Sequence, residues 1–281
     1  MKPLSLPIPF QTRWYESDLT DEQWALLAPL FADDNSRRGP KNTISPRLIL
    51  NALFYLLREG CRWRSLPPQY PHWQTVYYHF RRWHAQHLWT RIYRLLHERL
   101  RVSMGRDPLP SAGILDAQCV KTAATAREAV GYDAGKKTKG RKRNALVDTL
   151  GYPMVLYVTT AGLQDFQTGV RAIREAKTQC PRLKTIWADQ LYRAMESECA
   201  KQNQFVLEIV KRPGQQEGFA VLPHRWIVER TLGWFSHYRR LRSDYEGLVE
   251  CSEAMLHLAL IHLLVRRMTD GQCPRWTRKA A

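Results

Sequence analysis

The sequence predicts an α/β fold, in which a mixed β-sheet flanked by helices follows a small all-α unit. Two patterns predict it. Up to about residue 102, apolar side chains recur at intervals of three and four residues, which is typical of amphipathic helices. From residue 114 onward, short apolar runs of strand length alternate with helical segments. The segment GRDPLP at 105–110 separates the two parts, so we predict a helical unit at 1–105 and an α/β domain at 106–281.

Capping signals place the first two helices. Thr20 and Gln23 have the spacing of a capping box and open a helix predicted at 21–30. Pro46 at a first helical position and Gly60 after a last turn bound a second helix. The residues at the N-terminus are rich in proline and are expected to form a loose leader.

The segment WQTVYYHFRRW at 73–83 has the spacing of a third helix, with Val76, Phe80 and Trp83 on its apolar face. Its outward face carries Gln74, Tyr78, Arg81 and Arg82. A basic, aromatic helix after two short helices is typical of a helix-turn-helix-like unit, whose last helix enters the major groove of DNA. A plain helical bundle with tryptophans in its core is the alternative. A longer helix, predicted at 89–102, leads to the boundary.

The second part alternates between strands and helices. Strands are predicted at 114–121, 145–150, 154–160, 185–189 and 205–210. Helices are predicted at 165–177, 191–202, 226–238 and 252–267. This order of elements is that of an RNase H-like fold with a mixed sheet. The last strand is apolar enough to be a buried member of the sheet.

The positive charge of the chain is concentrated in two segments. Lysine and arginine number 43 against 26 acidic residues, for a net charge of +17. Residues 37–101 and 121–143 together carry all of this excess. Such focused charge favours a polyanionic partner, here double-stranded DNA, over the alternative of a merely soluble basic protein.

The second basic segment contains the run GKKTKGRKR. We expect it to neutralise DNA phosphates, which gives salt-dependent affinity but little sequence discrimination. The residues assigned to this role are Lys121, Lys136, Lys137, Lys139, Arg141, Lys142 and Arg143. A mobile, solvated hairpin is the alternative interpretation of the run.

Several classes of function have no supporting motif. There is no Gly-rich phosphate loop, no Gly-x-Ser-x-Gly elbow and no zinc-protease helix. The six cysteines show neither a C-x-x-C pair nor zinc-ligand spacing, which favours a reducing cytoplasm and no disulfide framework. The most apolar stretch, 254–265, is too short to span a bilayer, so no membrane partner is expected.

Three carboxylates indicate the chemistry. Asp116 lies within an apolar strand, where an acid is unfavourable unless it binds something positive. Asp189 ends the strand TIWAD, at the edge where parallel strands deliver side chains to ligands. Glu229 lies on the helix of RWIVERTLGW. Each alone has a simpler interpretation: a turn hydrogen bond, a helix cap, or an ion pair with Arg225 four residues earlier.

Together the three acids predict a divalent metal centre. Mg²⁺ takes oxygen ligands, with one or two protein carboxylates and substrate phosphates completing its shell. Three acids could hold two such ions and promote in-line displacement at phosphorus. The other acids considered, Asp148, Asp165 and Asp244, are expected to lack comparable partners.

The sequence resembles the DDE transposases of bacterial insertion sequences, specifically the insertion-sequence-five group of the insertion-sequence-four-like superfamily. The blocks that carry the resemblance are SDLTDEQWALLAPL, GCRWRSLP, WQTVYYHFRRW, GILDAQCVKTA, GKKTKGRKRNALVDTLG, IWADQLYRA and RWIVERTLGWFSHYRRL. It implies that Asp116, Asp189 and Glu229 are the catalytic and metal-binding triad. It also implies Mg²⁺, with Mn²⁺ as a substitute, and a DNA substrate.

Two of the four residues of the family's Tyr-Arg-Glu-Lys signature are present in this sequence. Arg225 and Glu229 match it, whereas Leu222 and Ser236 stand in the tyrosine and lysine positions. The resemblance assigns Arg225 to DNA contact. Arg239 and Arg240, one helical turn beyond Ser236, are expected to replace the missing lysine.

The resemblance implies nicking at the terminal inverted repeats of the element, followed by attack of the freed 3′-hydroxyl on target DNA. Because two ends must be joined, the resemblance also implies a homodimer or a larger assembly on DNA. It implies a bacterial cytoplasmic protein that is associated with the nucleoid when bound to DNA. Two alternatives remain: a catalytically inactive DNA-binding remnant or repressor, and an RNase H-like nuclease acting on RNA–DNA hybrids or branched DNA.

Overall fold

The computed structural model describes residues 13–35, 44–196, 206–210 and 224–269. The helices are α1 (Asp21–Leu27), α2 (Pro46–Glu59), α3 (Trp73–Ala85), α4 (Leu88–Ser103), α5 (Asp165–Gln179), α6 (Arg225–Trp234) and α7 (Val249–Thr269). The strands are β1 (Ala112–Lys121), β2 (Gly131–Asp133), β3 (Thr138–Asp148), β4 (Pro153–Thr160), β5 (Thr185–Ala188) and β6 (Val206–Ile209). The predicted leader, Leu222 and part of the helix predicted at 191–202 lie outside the described residues.

The capping signals place the first helices correctly at their N-termini. Thr20 and Gln23 form both hydrogen bonds of the capping box that opens α1. The prediction that α1 reaches residue 30 is wrong, because the α-helix ends at Leu27 and continues as a 3₁₀ segment. Pro29 explains this, since a proline has no backbone N–H and cannot donate to the carbonyl four residues earlier. Gly60 ends α2 in the left-handed conformation, as predicted.

Helix α7 is buried along most of its length and packs against the first helices. Apolar residues cover it on several sides, and it contacts α1, α2 and α4 as well as β4. A single hydrophobic cluster therefore includes Trp83 of α3, Leu260 of α7 and Ile114 of β1. The boundary at 105/106 stays a prediction, and the core runs across it.

The sheet has the strand arrangement of an RNase H-like fold. Its order is β4-β3-β1-β5-β6, with β2 pairing at the start of β3. Strands β1, β3 and β4 are antiparallel neighbours, whereas β5 and β6 run parallel to β1. The predicted α/β class, with a mixed sheet flanked by helices after an N-terminal helical region, is confirmed. The expected burial of the last strand is wrong, because β6 is an edge strand and Val206 is exposed.

Strand β3 begins earlier than predicted and includes two thirds of the basic run. It starts at Thr138 rather than 145 and pairs with β1 from Gly140 onward. Arg141, Lys142 and Arg143 are consequently buried within the sheet. These three residues are not a solvated hairpin and do not face a phosphate, which corrects the prediction made for them.

Acids and carbonyl groups inside the protein neutralise these buried cations. Arg141 donates to the Glu246 carbonyl and the Ser252 hydroxyl, and its Nη1 lies 3.2 Å from Asp244. Lys142 forms an ion pair with Asp165. Arg143 donates to the Leu241 carbonyl at 2.7 Å. Their donors are therefore satisfied within the fold.

Asp148, Asp165 and Asp244, the acids set aside as less well placed for a metal centre, each pair with cations inside the fold. Besides the pairs with Lys142 and Arg141, Asp148 is fully buried between His97 and Arg101 of α4. These contacts hold the pKa of Asp148 below its ordinary value despite its burial, which opposes them. Each of the three acids thus has a structural role.

Candidate active site

Three elements bring the predicted acids to one place. Asp116 lies in the middle of β1, and Asp189 directly follows β5. Strands β1 and β5 are parallel, and their pairing stops at Ile114 and Trp187, two residues before each acid. The sheet is therefore open between the two aspartates. Glu229 reaches the same region from the second turn of α6, which packs against β1 and β3.

One cation lies between the three carboxylates. The Nη2 atom of Arg225 is 3.7 Å from Asp116, 3.6 Å from Asp189 and 3.5 Å from Glu229. The remaining oxygen of each aspartate is held locally, since the N–H of Ala117 donates to Asp116 at 2.7 Å and that of Leu191 to Asp189 at 2.9 Å. Asp189 thus caps the following turn, and Glu229 pairs with Arg225, as the simpler interpretations predicted. Both acids nevertheless lie around the same guanidinium group.

Burial makes Asp116 difficult to ionise. Its side chain is 15% exposed, and burial raises the pKa of its carboxyl to about 6 against the opposing effects of the Ala117 N–H and Arg225. The neighbouring Asp189 raises it further, whereas Lys136 lowers it. Lys136 donates to the Ala117 carbonyl at 3.1 Å and is thereby held beside the acid. An additional positive charge in this site would favour the ionised form.

The donor set fits a hard divalent cation. All three side chains offer carboxylate oxygens, which Mg²⁺ and Mn²⁺ prefer. In the described part of the chain, no three His, Cys, Asp or Glu side chains approach one another closely enough to hold an ion as they stand. The acids instead surround the guanidinium group of Arg225, which carries a positive charge as a metal ion does.

An aromatic contact joins the start of α6 to the end of β5. The His224 ring stacks on Trp187 with 4.0 Å between ring centroids and 10° between planes. His224 has a φ of 64°, a left-handed conformation that few non-glycine residues adopt. The indole N–H of Trp187 donates to Glu208 of β6 at 2.7 Å. These contacts fix the position of Arg225, the next residue, relative to Asp189.

The residues predicted to contact DNA differ in their exposure to solvent. The exposed members are Gln74, Tyr78, Lys121, Lys136, Lys137, Lys139 and Arg239. Arg81 is half-buried and forms an ion pair with Glu250 at 2.6 Å, and Arg82 is also half-buried. Arg240 is buried by its contacts with Glu246 and the Cys61 carbonyl, so it cannot replace the missing lysine. The hydroxyl of Ser236, in the 3₁₀ turn after α6, donates to the Gly233 carbonyl.

Arg225 is the site residue whose position the sequence predicted least well. The resemblance assigned it to DNA, and its spacing from Glu229 suggested one ion pair. Its contact with all three acids depends on the approach of α6 to two strands, which no local pattern indicates. A basic residue one turn before a candidate catalytic glutamate was the available signal.

A family model described as "Transposase DDE domain" matches residues 107–264, which is more than half of the chain. The chain belongs to the DDE transposase family. A second model, described as "Putative transposase of IS4/5 family", matches residues 19–93 of this transposase. The acids that converge in the fold lie within the first match.

Two curated proteins from Burkholderia cepacia are similar to parts of this transposase. The "Putative transposase for insertion sequence element IS402" is 27% identical over 128 residues, covering 42% of this chain and 60% of the relative. The "Insertion element IS402 uncharacterized 16.2 kDa protein" is 33% identical over 91 residues, covering 30% of this chain and 61% of the relative. The chain thus spans less than two thirds of either relative. No solved structure matches it significantly.

No helix in the described ranges is both long enough and apolar enough to cross a membrane.

Proposed function

We propose that this transposase binds the terminal inverted repeats of an insertion sequence, cleaves DNA there and transfers the strand to target DNA, using Asp116, Asp189 and Glu229. The observation that carries the proposal is the placement of three carboxylates around one cationic nitrogen. Phosphodiester chemistry requires positive charge beside the scissile phosphate. This site brings together carboxylates that could bind the metal cations that supply that charge.

The three acids would hold Mg²⁺, with Mn²⁺ as a substitute, and two ions would satisfy their combined charge. Such ions supply activation of an attacking oxygen and stabilisation of a leaving oxygen. Asp116 and Asp189 present their free oxygens to the shared space, and Glu229 closes it from α6. Arg225 gives up its position between the acids and is then free to contact the DNA backbone.

The exposed basic residues near the acids support a DNA substrate. Lys121 lies at the end of β1, the strand of Asp116, and Lys139 lies in the neighbouring β3. Lys136 and Lys137 lie in the β2–β3 connection. They would neutralise phosphates. Gln74 and Tyr78 on the exposed face of α3 would contact bases, with Arg81 and Arg82 at the border of that face. Synapsis of two ends would require a homodimer or a larger assembly.

The test uses the full chain and a duplex carrying the inverted repeats that flank its coding region. We expect nicking at the repeat ends with Mg²⁺ or Mn²⁺ and none with EDTA. Asp116→Asn and Asp189→Asn should abolish nicking while DNA binding in a gel shift is retained, because both substitutions keep the shape of the side chain. Glu229→Gln should likewise abolish nicking. Glu175→Gln, at an exposed ion pair with Arg171, is the matched control and should retain nicking.

Undiminished nicking by both aspartate variants would refute the assignment of the site. Binding to the repeats without nicking by the unaltered protein would support a DNA-binding remnant or repressor. Preference for RNA–DNA hybrids or branched DNA would support a nuclease of another kind.

A further inference from the structure

Gln118 extends the face of β1 that carries Asp116. Side chains alternate along a strand, so these two residues lie on the same side of the sheet, about 7 Å apart along β1. The contacts agree, because Gln118 lies opposite Arg143 of β3, whose guanidinium group is over the ring of Phe235 directly after α6. The side chain of Gln118 is only half-buried. It therefore lies on the α6 side of the sheet, beside the candidate catalytic acid.

The edge of β1 that faces away from β3 is open at Gln118. Strand β5 pairs with β1 only as far as Ile114. The next pairing on β1 is the single bridge between Thr122 and Asp244. Between these two points, the described residues place no strand beside that edge. Gln118 thus lies along the same opening of the sheet as the two candidate catalytic aspartates.

A contact with Arg143 determines which end of the Gln118 amide is free. Nη1 of Arg143 lies 3.3 Å from Oε1 of Gln118 and donates to it. A guanidinium group has no acceptor, so only the amide oxygen can face it. The amide nitrogen is on the other branch of the side chain and donates to no atom of the described residues. Gln118 therefore keeps two N–H donors for a ligand that has oxygen acceptors.

Arg143 is a well-fixed support for this amide. Its guanidinium group is buried, and its Nη2 donates to the Leu241 carbonyl at 2.7 Å. Burial lowers the pKa of Arg143 to about 10, against the opposing charge of Asp244, so the group stays charged at neutral pH. The contact that orients Gln118 is consequently maintained at the pH at which the enzyme would act.

We propose that Gln118 contacts the DNA strand that is cut, donating its amide N–H to a non-bridging oxygen of a phosphate next to the scissile one, and that Arg143 positions the amide for this contact. The inference rests on the proposed function, in which Asp116 holds metal ions at the scissile phosphate. A step of about 7 Å along β1 places Gln118 at a neighbouring phosphate. Glutamine side chains are common donors to DNA phosphates. Because Gln118 is neutral, this contact positions the strand without releasing a counterion.

Replacement of Gln118 by glutamate separates a DNA contact from a purely structural role. Gln118→Glu keeps the shape and the oxygen that accepts from Arg143, but it loses both donors and brings a negative charge to the phosphate. Nicking of the inverted-repeat duplex should fall by about 10- to 100-fold, as for loss of a hydrogen bond to a charged group. Stability in urea should be equal or higher, because buried Arg143 gains a carboxylate partner. Gln179→Glu, exposed at the end of α5, is the matched control and should leave nicking unchanged.

Methylphosphonate substitution of the DNA locates the contact. A neutral methylphosphonate replaces one phosphate at a time on either side of the cut, and nicking is measured for the unaltered protein and for Gln118→Glu. At the contacted position the methylphosphonate should slow the unaltered protein, because an acceptor is lost. It should speed Gln118→Glu relative to the same variant on unmodified DNA, because the repulsion between the carboxylate and the phosphate is removed.

Nicking by Gln118→Glu at the rate of the unaltered protein would overturn the inference while leaving the proposed function intact. A loss of nicking that no methylphosphonate relieves would overturn it as well, because Gln118 would then act only as a support for Arg143. Absence of nicking by the unaltered protein would overturn the proposed function, and this inference with it.

Discussion

Burial disfavours the ionised form of the Asp116 side chain in the folded protein. Asp116 lies in an apolar strand with little solvent, and the pKa of its carboxyl is about 6, above the ordinary 3.8. A group whose pKa is raised by folding contributes stability below its unfolded pKa and loses that contribution as the pH rises through the folded value. The ionised Asp116 therefore destabilises the metal-free protein above about pH 6.

Replacement of Asp116 by asparagine should stabilise the metal-free protein at neutral pH. Asparagine keeps the shape and does not ionise, so the free energy of unfolding should rise at pH 7.5 by about 1–3 kcal/mol, since one pKa unit corresponds to about 1.4 kcal/mol. The gain should shrink as the pH falls from 6 to 4. Urea unfolding in EDTA at several pH values measures it.

Asp148→Asn is the matched control for this stability measurement. It removes the partner of buried Arg101 and His97 and should lower the stability at neutral pH. A loss of stability in Asp116→Asn at pH 7.5, similar to that of the control, would mean that Asp116 has an ordinary structural role.

At the scale of single elements, β3 combines cations with two different roles. Lys139 near its start is exposed, whereas Lys142 three residues later is buried against Asp165. The sequence run GKKTKGRKR gives no sign of this difference. The partners Asp165 and Asp244 are far away in the chain, so only the packing of α5 and of the segment before α7 against the sheet reveals which cations are neutralised.

Alanine substitutions at Lys139 and Lys142 should separate the two roles. Lys142→Ala leaves Asp165 buried without its partner and should lower the free energy of unfolding by about 3–5 kcal/mol. Lys139→Ala should leave stability within about 0.5 kcal/mol and reduce the salt dependence of DNA binding by about one counterion. Urea unfolding and gel shifts at several salt concentrations measure both. An equal effect of the two substitutions on the salt dependence would contradict the buried position of Lys142.

The acids could be chosen from the sequence because their local contexts are informative. An aspartate inside an apolar strand, such as Asp116, is unfavourable without a ligand. The end of a parallel strand, where Asp189 lies, is where side chains meet ligands. The central position of Arg225 depends on contacts between elements, which sequence periodicity does not contain.

At the scale of the whole molecule, the first helices and the catalytic domain share one core. The periodicity of the sequence predicted nearly every element in the described residues, and it predicted a boundary near 105 from glycine and proline. It could not show that α7, near the C-terminal end of the described chain, completes the packing of α1, α2 and α4. The first helices and the sheet that carries Asp116 are thus packed around the same hydrophobic cluster.

Residues 1–105 expressed alone should fail to fold cooperatively. Without α7, the apolar faces of α2 and α4 would be exposed, including Leu53 and Leu96, which are fully buried in the whole chain. Circular dichroism and dye binding should show a helical state without a sharp thermal transition. The full chain should unfold in one transition under the same conditions. A sharp, reversible transition in the isolated fragment would show that the unit has an independent core.

We propose that Asp116, Asp189 and Glu229 together form one site for divalent ions. Fe²⁺ in place of Mg²⁺, with ascorbate and peroxide, cuts the polypeptide close to where the ion binds, and mass spectrometry of the fragments locates the cuts. We expect cuts in the neighbourhoods of all three acids, suppressed by excess Mg²⁺ and lost in Asp189→Asn. Cuts at other positions only, or an unchanged pattern in Asp189→Asn, would contradict the account.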